Sequence, residues 1–178
     1  MTARDKDVIV VGGGFGGLAA ALRLTQLGLG VRVLEQAAEL GEVGAGLQIA
    51  PNCTRILDHL GLLEEVKSLG VLPDHMVMKD AVDGSVLTRL DLRDLEARYG
   101  YPYMVIHRSD LHGTLLRACR RAGVDLVTDA CVTGYENVAD GAAVITADGR
   151  TEHVARLVVA ADGIRSVARR LLADDEPV

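Results

Sequence analysis

The sequence predicts an α/β fold in which a parallel sheet is accompanied by additional β-strands. Three observations lead to this prediction. A β-branched run at residues 8–11 enters a glycine-rich turn, the turn opens into strong helix formers, and a second β-like run follows at residues 31–34. A strand, a helix and a strand in this order form a β-α-β unit, whose two strands are parallel. Apolar residues make up 49% of the 178 residues, which suits strands buried on both faces.

The glycine-rich turn is the first segment with a chemical meaning. Gly12, Gly14 and Gly17 have the G-x-G-x-x-G spacing of a dinucleotide-binding turn and directly follow the first strand. Gly12 permits the sharp turn, Gly14 lets the backbone approach a pyrophosphate, and Gly17 lets the helix pack close to the strand. The positive end of the helix dipole then favours the phosphates. A second frame that starts at Gly14 is rejected, because the strand adjoins Gly12.

An acidic residue follows the second strand. Glu35 lies about twenty positions after the glycines, where a carboxylate can accept hydrogen bonds from a ribose. A carboxylate would repel a 2′-phosphate, so this position favours FAD or NAD over NADP. The alternative is a structural glycine turn followed by a surface glutamate. Strand, turn, helix and carboxylate together predict a Rossmann-like FAD/NAD(P)-binding fold.

The elements after residue 35 follow from apolar periodicity and from turn residues. No linker separates them, so we expect one dinucleotide-binding domain over residues 1–178. The predicted elements are a glycine-spaced loop at 36–50, helices at 51–60 and 62–68, strands at 76–79, 86–90 and 103–106, a helix at 109–121, strands at 125–128, 131–137, 143–146 and 156–160 with a turn at 148–149, and a final helix ending at 172.

Composition excludes several classes of partner. The net charge is −6, aromatic residues make up 3% of the chain and tryptophan is absent, so we expect no nucleic acid and no anionic membrane as a partner. Cys53, Cys119 and Cys131 lack metal-ligand spacing, and a sparse, odd set of cysteines is typical of a reducing compartment. Asp5 and Asp7 precede an apolar run that glycines interrupt, which does not fit a signal peptide or a transmembrane segment. We therefore expect a cytoplasmic protein without a metal site.

Several segments together resemble the FAD-dependent aromatic hydroxylases, the group A flavoprotein monooxygenases. The similarity is greatest to the branch that contains salicylate hydroxylase and 3-hydroxybenzoate 6-hydroxylase, and it spans nearly the whole chain. The first segment is shared by many flavoproteins, but the combination is more specific. One departure is Ala160, where the family has glycine. The segments are residues 12–17 with Glu35, residues 41–52, residues 107–112 and residues 157–169.

The resemblance implies a role for each candidate residue. The glycine turn and Glu35 would hold the ADP half of FAD, the segment 44–48 would lie beside the flavin ring, and Arg108 would reach the FAD. Val132 would lie near the adenine through its backbone. Asp162 and Gly163 would support the FAD and the nicotinamide cofactor, with Arg169 completing that motif. The implied cofactor-binding residues are Gly12, Gly14, Phe15, Gly16, Gly17, Glu35, Gly46, Leu47, Gln48, Arg108, Val132, Asp162 and Gly163.

Simpler explanations remain open for three of these segments. Residues 41–48 could be an ordinary cluster of turns. Arg108 could be a surface charge at the start of a helix. Asp162-Gly163 could be a plain turn after a buried strand. We identify no catalytic residue.

The resemblance also implies a reaction. FAD, with NADH or NADPH as reductant and O₂ as oxidant, would hydroxylate a small phenolic or aromatic acid, and the intact protein would be compatible with a homodimer. Two other hypotheses stay open: a different FAD oxidase or dehydrogenase, which Asp162-Gly163 with Arg169 disfavours, and a truncated nucleotide-binding module without activity. Family members continue for a similar length beyond Val178 and carry there a Gly-Asp motif and most of the substrate pocket. We therefore expect the isolated 178-residue chain to be inactive as a hydroxylase.

Overall fold

A computed structural model describes residues 6–41, 44–147 and 151–173, and for residues 151–153 it describes the backbone alone. The chain divides into two compact units, one of Met1–Glu42 with Leu115–Val178 and one of Val43–Thr114. The elements in chain order are β1 (Val8–Val11), α1 (Phe15–Gln26), β2 (Val31–Leu34), β3 (Gly46–Ile49), α2 (Pro51–His59), α3 (Leu63–Leu69), β4 (His75–Lys79), β5 (Val86–Asp91), α4 (Arg93–Tyr99), β6 (Met104–His107), α5 (Arg108–Ala122), β7 (Asp125–Val127), β8 (Val132–Val138), β9 (Gly141–Thr146), β10 (Thr151–Ala155), β11 (Leu157–Ala160) and α6 (Val167–Ala173).

The first unit contains a four-stranded sheet in the order β11-β1-β2-β7, and every pairing in it is parallel. Paired residues of parallel strands share a face, so Ile9 and Leu34 lie on one face of the sheet and Val10 and Val33 on the other. All four are buried, which shows that both faces are covered. This double coverage explains why the strands read as continuous apolar runs.

Different elements cover the sheet. Helix α1 contacts β1 and β2, and its residues Leu18 and Leu22 are buried. The Cys119 thiol of α5 donates a hydrogen bond to the Leu18 carbonyl of α1 at 3.3 Å. Strands β8, β9 and β10 form an antiparallel sheet of their own. A core cluster joins this antiparallel sheet to the Ile9 face of the parallel sheet; it consists of Ile9, Val11, Leu34, Ala130, Val132, Val144 and Ala155, with Val127, Tyr135 and Val158 packed against it.

The second unit is built on two antiparallel strand pairs, β3 with β6 and β4 with β5. Its buried apolar residues include Leu57 of α2, Val66 of α3 and Met104 of β6. The buried Thr54 hydroxyl donates to the Pro102 carbonyl at 2.9 Å, which ties α2 to the segment before β6.

The predicted α/β fold with a parallel sheet and additional strands is confirmed. The predicted elements are wrong or incomplete at three places. Residues 46–49 lie in the predicted loop 36–50 but form β3, because pairing with β6 satisfies their backbone groups. The prediction also missed α4 and β10. The predicted turn at residues 148–149 lies outside the described residues. Within the described ranges, no helix is long and apolar enough to cross a membrane.

Candidate dinucleotide-binding site

The packing of the protein itself requires Gly12, in the turn between β1 and α1, and Gly17, in the first turn of α1. Gly12 has a φ of +105°, and a Cβ built on it would overlap the Ala161 carbonyl oxygen. A Cβ on Gly17 would overlap the Gly12 carbonyl oxygen. Both predicted structural roles, the sharp turn and the close packing of helix on strand, therefore have a direct steric cause in the structure.

Gly14 and Gly16 differ from these two, because a Cβ on either would meet no protein atom within 4 Å. Gly14 is the N-cap residue of α1, and no side-chain hydrogen bond caps this helix. The first turn of α1 also contains no acidic residue. The N-terminus of this 12-residue helix thus has no capping side chain. The two glycines beside it have open space where a side chain could fit, so packing within the protein does not explain them. This arrangement suits a phosphate-bearing ligand, which a helix N-terminus favours.

Glu35 is fixed beside the glycine turn. Its Oε2 accepts a hydrogen bond from the Gly13 amide at 2.6 Å, and its Oε1 accepts one from the Ala37 amide at 2.9 Å. The backbone of Glu35 is held as well, since its amide donates to Val127 and its carbonyl accepts from Ala130. Each carboxylate oxygen has a second lone pair, so Glu35 can brace the turn and still accept a ribose hydroxyl.

Replacing Glu35 by alanine should lower the free energy of unfolding even without a ligand. Two backbone amides lose a charged acceptor, which costs about 1–3 kcal/mol. The measurement is urea denaturation of the FAD-free protein. Glu39→Ala is the matched control, because Glu39 is an exposed carboxylate on the same segment. Equal stabilities of the two variants would contradict the bracing role.

Asp162 follows β11 and accepts hydrogen bonds from two directions. The Ser166 hydroxyl donates to its Oδ1 at 2.6 Å, and the amides of Val167 and Ala168 donate to its Oδ2 at 2.8 and 3.2 Å. The Tyr135 hydroxyl donates to the same Oδ2 at 3.1 Å. Burial pushes the pKa of the Asp162 carboxyl upward, but the hydrogen bonds from Ser166 and the Ala168 amide outweigh it and hold the pKa below its ordinary value. The carboxylate is therefore committed to the start of α6 and to β8.

This network predicts a pH dependence of stability. Because the folded pKa of Asp162 is lowered, its ionised form stabilises the fold above the unfolded pKa, and this contribution is lost as pH falls below about 4. Unfolding titrations from pH 7 to pH 3 should show a smaller loss of stability in Asp162→Asn than in the unmodified chain. Asp129→Asn is the control, since Asp129 is an exposed carboxylate of the same unit. If Asp162→Asn loses stability with the same slope as the unmodified chain, the network does not carry this dependence.

Two further candidates of the first unit lie near the ends of its strands. Gly163 has a φ of +75°, and a Cβ there would meet nothing within 4 Å. Val132 begins β8, and its side chain belongs to the buried core cluster. Only the backbone of Val132 is therefore available to a ligand, which is the role that the resemblance implies for it.

The second unit brings its own candidates together. Gly46, Leu47 and Gln48 lie on β3, and pairing with β6 places Gly46 opposite His107. Arg108 is the next residue, and its amide donates to the Ala45 carbonyl at 3.2 Å. The strand pairing thus explains why two segments that are distant in sequence lie side by side.

Sequence reasoning missed three residues that support these candidates. The Gly13 amide donates to the Glu35 carboxylate, the Tyr135 hydroxyl donates to Asp162, and the Tyr103 hydroxyl donates to Gln48 Oε1 at 2.6 Å. No local pattern marks the two tyrosines, because their partners are 27 and 55 residues away. Within the described ranges, no group of three or more His, Cys, Asp or Glu side chains is placed to hold a metal ion.

The pattern of a known family, described as the FAD binding domain, matches residues 5–175. The chain belongs to this family. The match spans the glycine turn with Glu35 and the segment around Asp162, so it includes the candidate residues of the first unit. The FAD-binding fold that the sequence predicts is therefore confirmed.

Named relatives show which proteins this FAD-binding domain resembles. It is 41% identical over 173 residues to 3-hydroxybenzoate 6-hydroxylase of Polaromonas naphthalenivorans, a match that covers 96% of this chain and 43% of the relative. It is 39% identical over 178 residues to 3-amino-4-hydroxybenzoate 2-monooxygenase of Streptomyces cremeus, covering 99% of this chain and 44% of the relative. The chain thus spans less than half the length of these curated relatives.

A solved structure agrees with this assignment. HpxO of Klebsiella pneumoniae, crystallised with FAD and uric acid, superposes with a TM-score of 0.81 at 30% identity. The match covers 92% of this chain and 41% of HpxO. The likeness therefore extends over the described fold and leaves more than half of the neighbour unmatched.

Proposed function

We propose that residues 1–178 form the FAD-binding domain of an NADH- or NADPH-dependent monooxygenase that hydroxylates a small phenolic or aromatic acid. The observation that carries this proposal is the dinucleotide cradle, in which an N-terminus without a capping side chain, the open positions Gly14 and Gly16 and the fixed Glu35 carboxylate lie together. The family and the names of the relatives support the reaction class.

The residues of the first unit fit the adenosine and pyrophosphate part of FAD. The start of α1 would bind the pyrophosphate, since its dipole and backbone N–H groups favour negative charge. Glu35 would accept hydrogen bonds from the ribose, and the backbone of Val132 would contact the adenine. Asp162 would act through the backbone that it fixes, presenting Gly163, because its carboxylate is already occupied.

The second unit supplies the candidates for the flavin side of the cofactor. Gly46, Leu47 and Gln48 would border the isoalloxazine ring, and Arg108 would contact the FAD. When bound, the flavin supplies hydride acceptance from NAD(P)H and activation of O₂. The contribution of this chain is to bind and orient the cofactor, and we assign no proton transfer to any of its residues.

The remaining partners follow from the same proposal. They are O₂ and a small aromatic acid, and the intact protein would be compatible with a homodimer. The described cysteines are all free thiols, which supports a reducing compartment such as the cytoplasm.

A direct test of the cofactor is an FAD titration of the purified chain, followed by flavin fluorescence. We expect saturable binding, and Glu35→Ala should weaken it by about 1–3 kcal/mol, or roughly fivefold to 150-fold. Glu39→Ala is again the control and should bind like the unmodified chain. An affinity for FAD that does not change in Glu35→Ala would contradict the assignment of Glu35 to the ribose.

A chimaera tests the reaction. Residues 5–175 of this chain would replace the matching part of the 3-hydroxybenzoate 6-hydroxylase of Polaromonas naphthalenivorans. We expect the chimaera to retain FAD, to oxidise NADH or NADPH and to convert 3-hydroxybenzoate into a product heavier by one oxygen atom, detected by mass spectrometry. The same chimaera with Gly14→Val is the control and should lack FAD. A folded, FAD-loaded chimaera that releases no hydroxylated product would instead favour the oxidase or dehydrogenase hypothesis.

A further inference from the structure

Tyr135 lies on β8 with its ring half-buried and its hydroxyl directed at a carboxylate. The ring packs against the core cluster between the parallel and antiparallel sheets. The hydroxyl donates to Asp162 Oδ2 at 3.1 Å, across 27 residues of sequence. Burial, together with the Asp162 charge, raises the pKa of Tyr135, so the phenol stays protonated and remains a donor. A packed ring thus holds one polar atom in a defined position.

The carboxylate that Tyr135 reaches organises the chain around it. Asp162 also accepts hydrogen bonds from the Ser166 hydroxyl and from the first amides of α6. The Ser166 hydroxyl in turn accepts from the Arg169 amide at 3.0 Å. These bonds tie Asp162 to the start of α6, which follows it in the chain. The hydrogen bond from Tyr135 comes instead from the antiparallel sheet. Tyr135 therefore joins the segment after β11 to β8.

This segment lies directly against the glycine turn. The Ala161 amide donates to the Val11 carbonyl at 2.8 Å. The Ala161 carbonyl oxygen occupies the space that a Cβ on Gly12 would need, and Ala161 Cβ would lie 3.5 Å from a Cβ on Gly17. The backbone of Ala161 thus packs against the turn at Gly12 and is hydrogen-bonded to the residue before it. Asp162 follows Ala161 in the chain, so a shift of Asp162 would also move Ala161 and the hydrogen bond that Ala161 donates to Val11, the residue before Gly12.

We propose that Tyr135 is a positioning residue for the dinucleotide turn, acting through Asp162 and Ala161 on Gly12 without contacting the cofactor. The proposal rests on the function proposed above for the turn. The hydroxyl fixes Asp162 from the side of β8, Asp162 fixes Ala161, and Ala161 sets the backbone path of Gly12 and the start of α1. The turn is then held in its binding geometry before FAD arrives, which avoids the cost of ordering it on binding.

The test is Tyr135→Phe, which removes the hydroxyl and keeps the ring in the core. We expect FAD to bind roughly fivefold to tenfold more weakly, measured at a temperature at which the variant is fully folded. In the FAD-free chain, hydrogen exchange should quicken at the amides of Ala161 and Val167 and at Gly12, and should stay unchanged in β4 and β5. Tyr101→Phe is the matched control, because it removes a phenol–carboxylate hydrogen bond to Asp58 in the other unit.

Two results would overturn the proposal. One is an FAD affinity in Tyr135→Phe equal to that of Tyr101→Phe. The other is unchanged hydrogen exchange at Gly12 and Ala161. If the unmodified chain itself binds no FAD, the proposed function fails on that result, and the exchange measurement alone decides the role of Tyr135.

Discussion

Replacing Gly14 by valine should abolish FAD binding and leave the domain folded. A Cβ at Gly14 meets no protein atom within 4 Å, and the backbone of Gly14 is extended, with a φ of −75° and a ψ of −175°. Valine adopts this conformation without strain. The branched side chain would instead fill the space in which the proposed pyrophosphate would approach the start of α1. We expect the affinity for FAD to fall by about 100-fold or more, the scale of a steric overlap with the ligand.

The measurements for Gly14→Val are an FAD titration and urea denaturation of the FAD-free chain. Stability should change by less than about 1 kcal/mol, the difference between glycine and valine as an N-cap. Ala50→Val is the matched control, because Ala50 is the exposed, extended N-cap of α2 and lacks a side-chain cap as well. If Gly14→Val purifies with full flavin occupancy, the glycine frame that begins at Gly12 is incorrect.

The variant Gly12→Ala should have the opposite effect, a large loss of stability of the fold. Its Cβ would overlap the Ala161 carbonyl oxygen, and the φ of +105° is one that alanine rarely adopts. Strain and overlap together should cost about 3 kcal/mol or more. That is a large fraction of the roughly 5–15 kcal/mol by which a domain is stable. The variant should unfold at a much lower urea concentration and show reduced binding in proportion to the folded fraction.

Gly16→Ala is the control for this comparison. Gly16 is exposed and helical, and a Cβ there meets nothing within 4 Å. Alanine should therefore stabilise the helix by up to about 1 kcal/mol. Equal stabilities for Gly12→Ala and Gly16→Ala would show that the turn relaxes and that Ala161 does not constrain it.

The first β-α-β unit could be predicted from the sequence almost to the residue. The predicted strands at 8–11 and 31–34 agree with β1 and β2, and Glu35 lies beside the glycine turn as its spacing suggested. The reason is that these features are local. A β-branched run, a glycine spacing and a helix-forming run each encode their conformation within a few residues, and right-handed β-α-β geometry then brings Glu35 to the turn.

The remaining features depended on contacts between distant segments. Strand β3 exists because β6 supplies its hydrogen-bond partners, and nothing within residues 46–49 marks them as a strand. The role of Asp162 likewise depends on distant donors. Its carboxylate accepts hydrogen bonds from Ser166, two amides and Tyr135, so it fixes the backbone around it. A short motif records which residues are present but not which donors reach them from another strand. The sequence by itself therefore determined the α/β fold, the cofactor class and the glycine turn, whereas only the tertiary structure decided which residues leave open space beside the turn and which hold the turn in place.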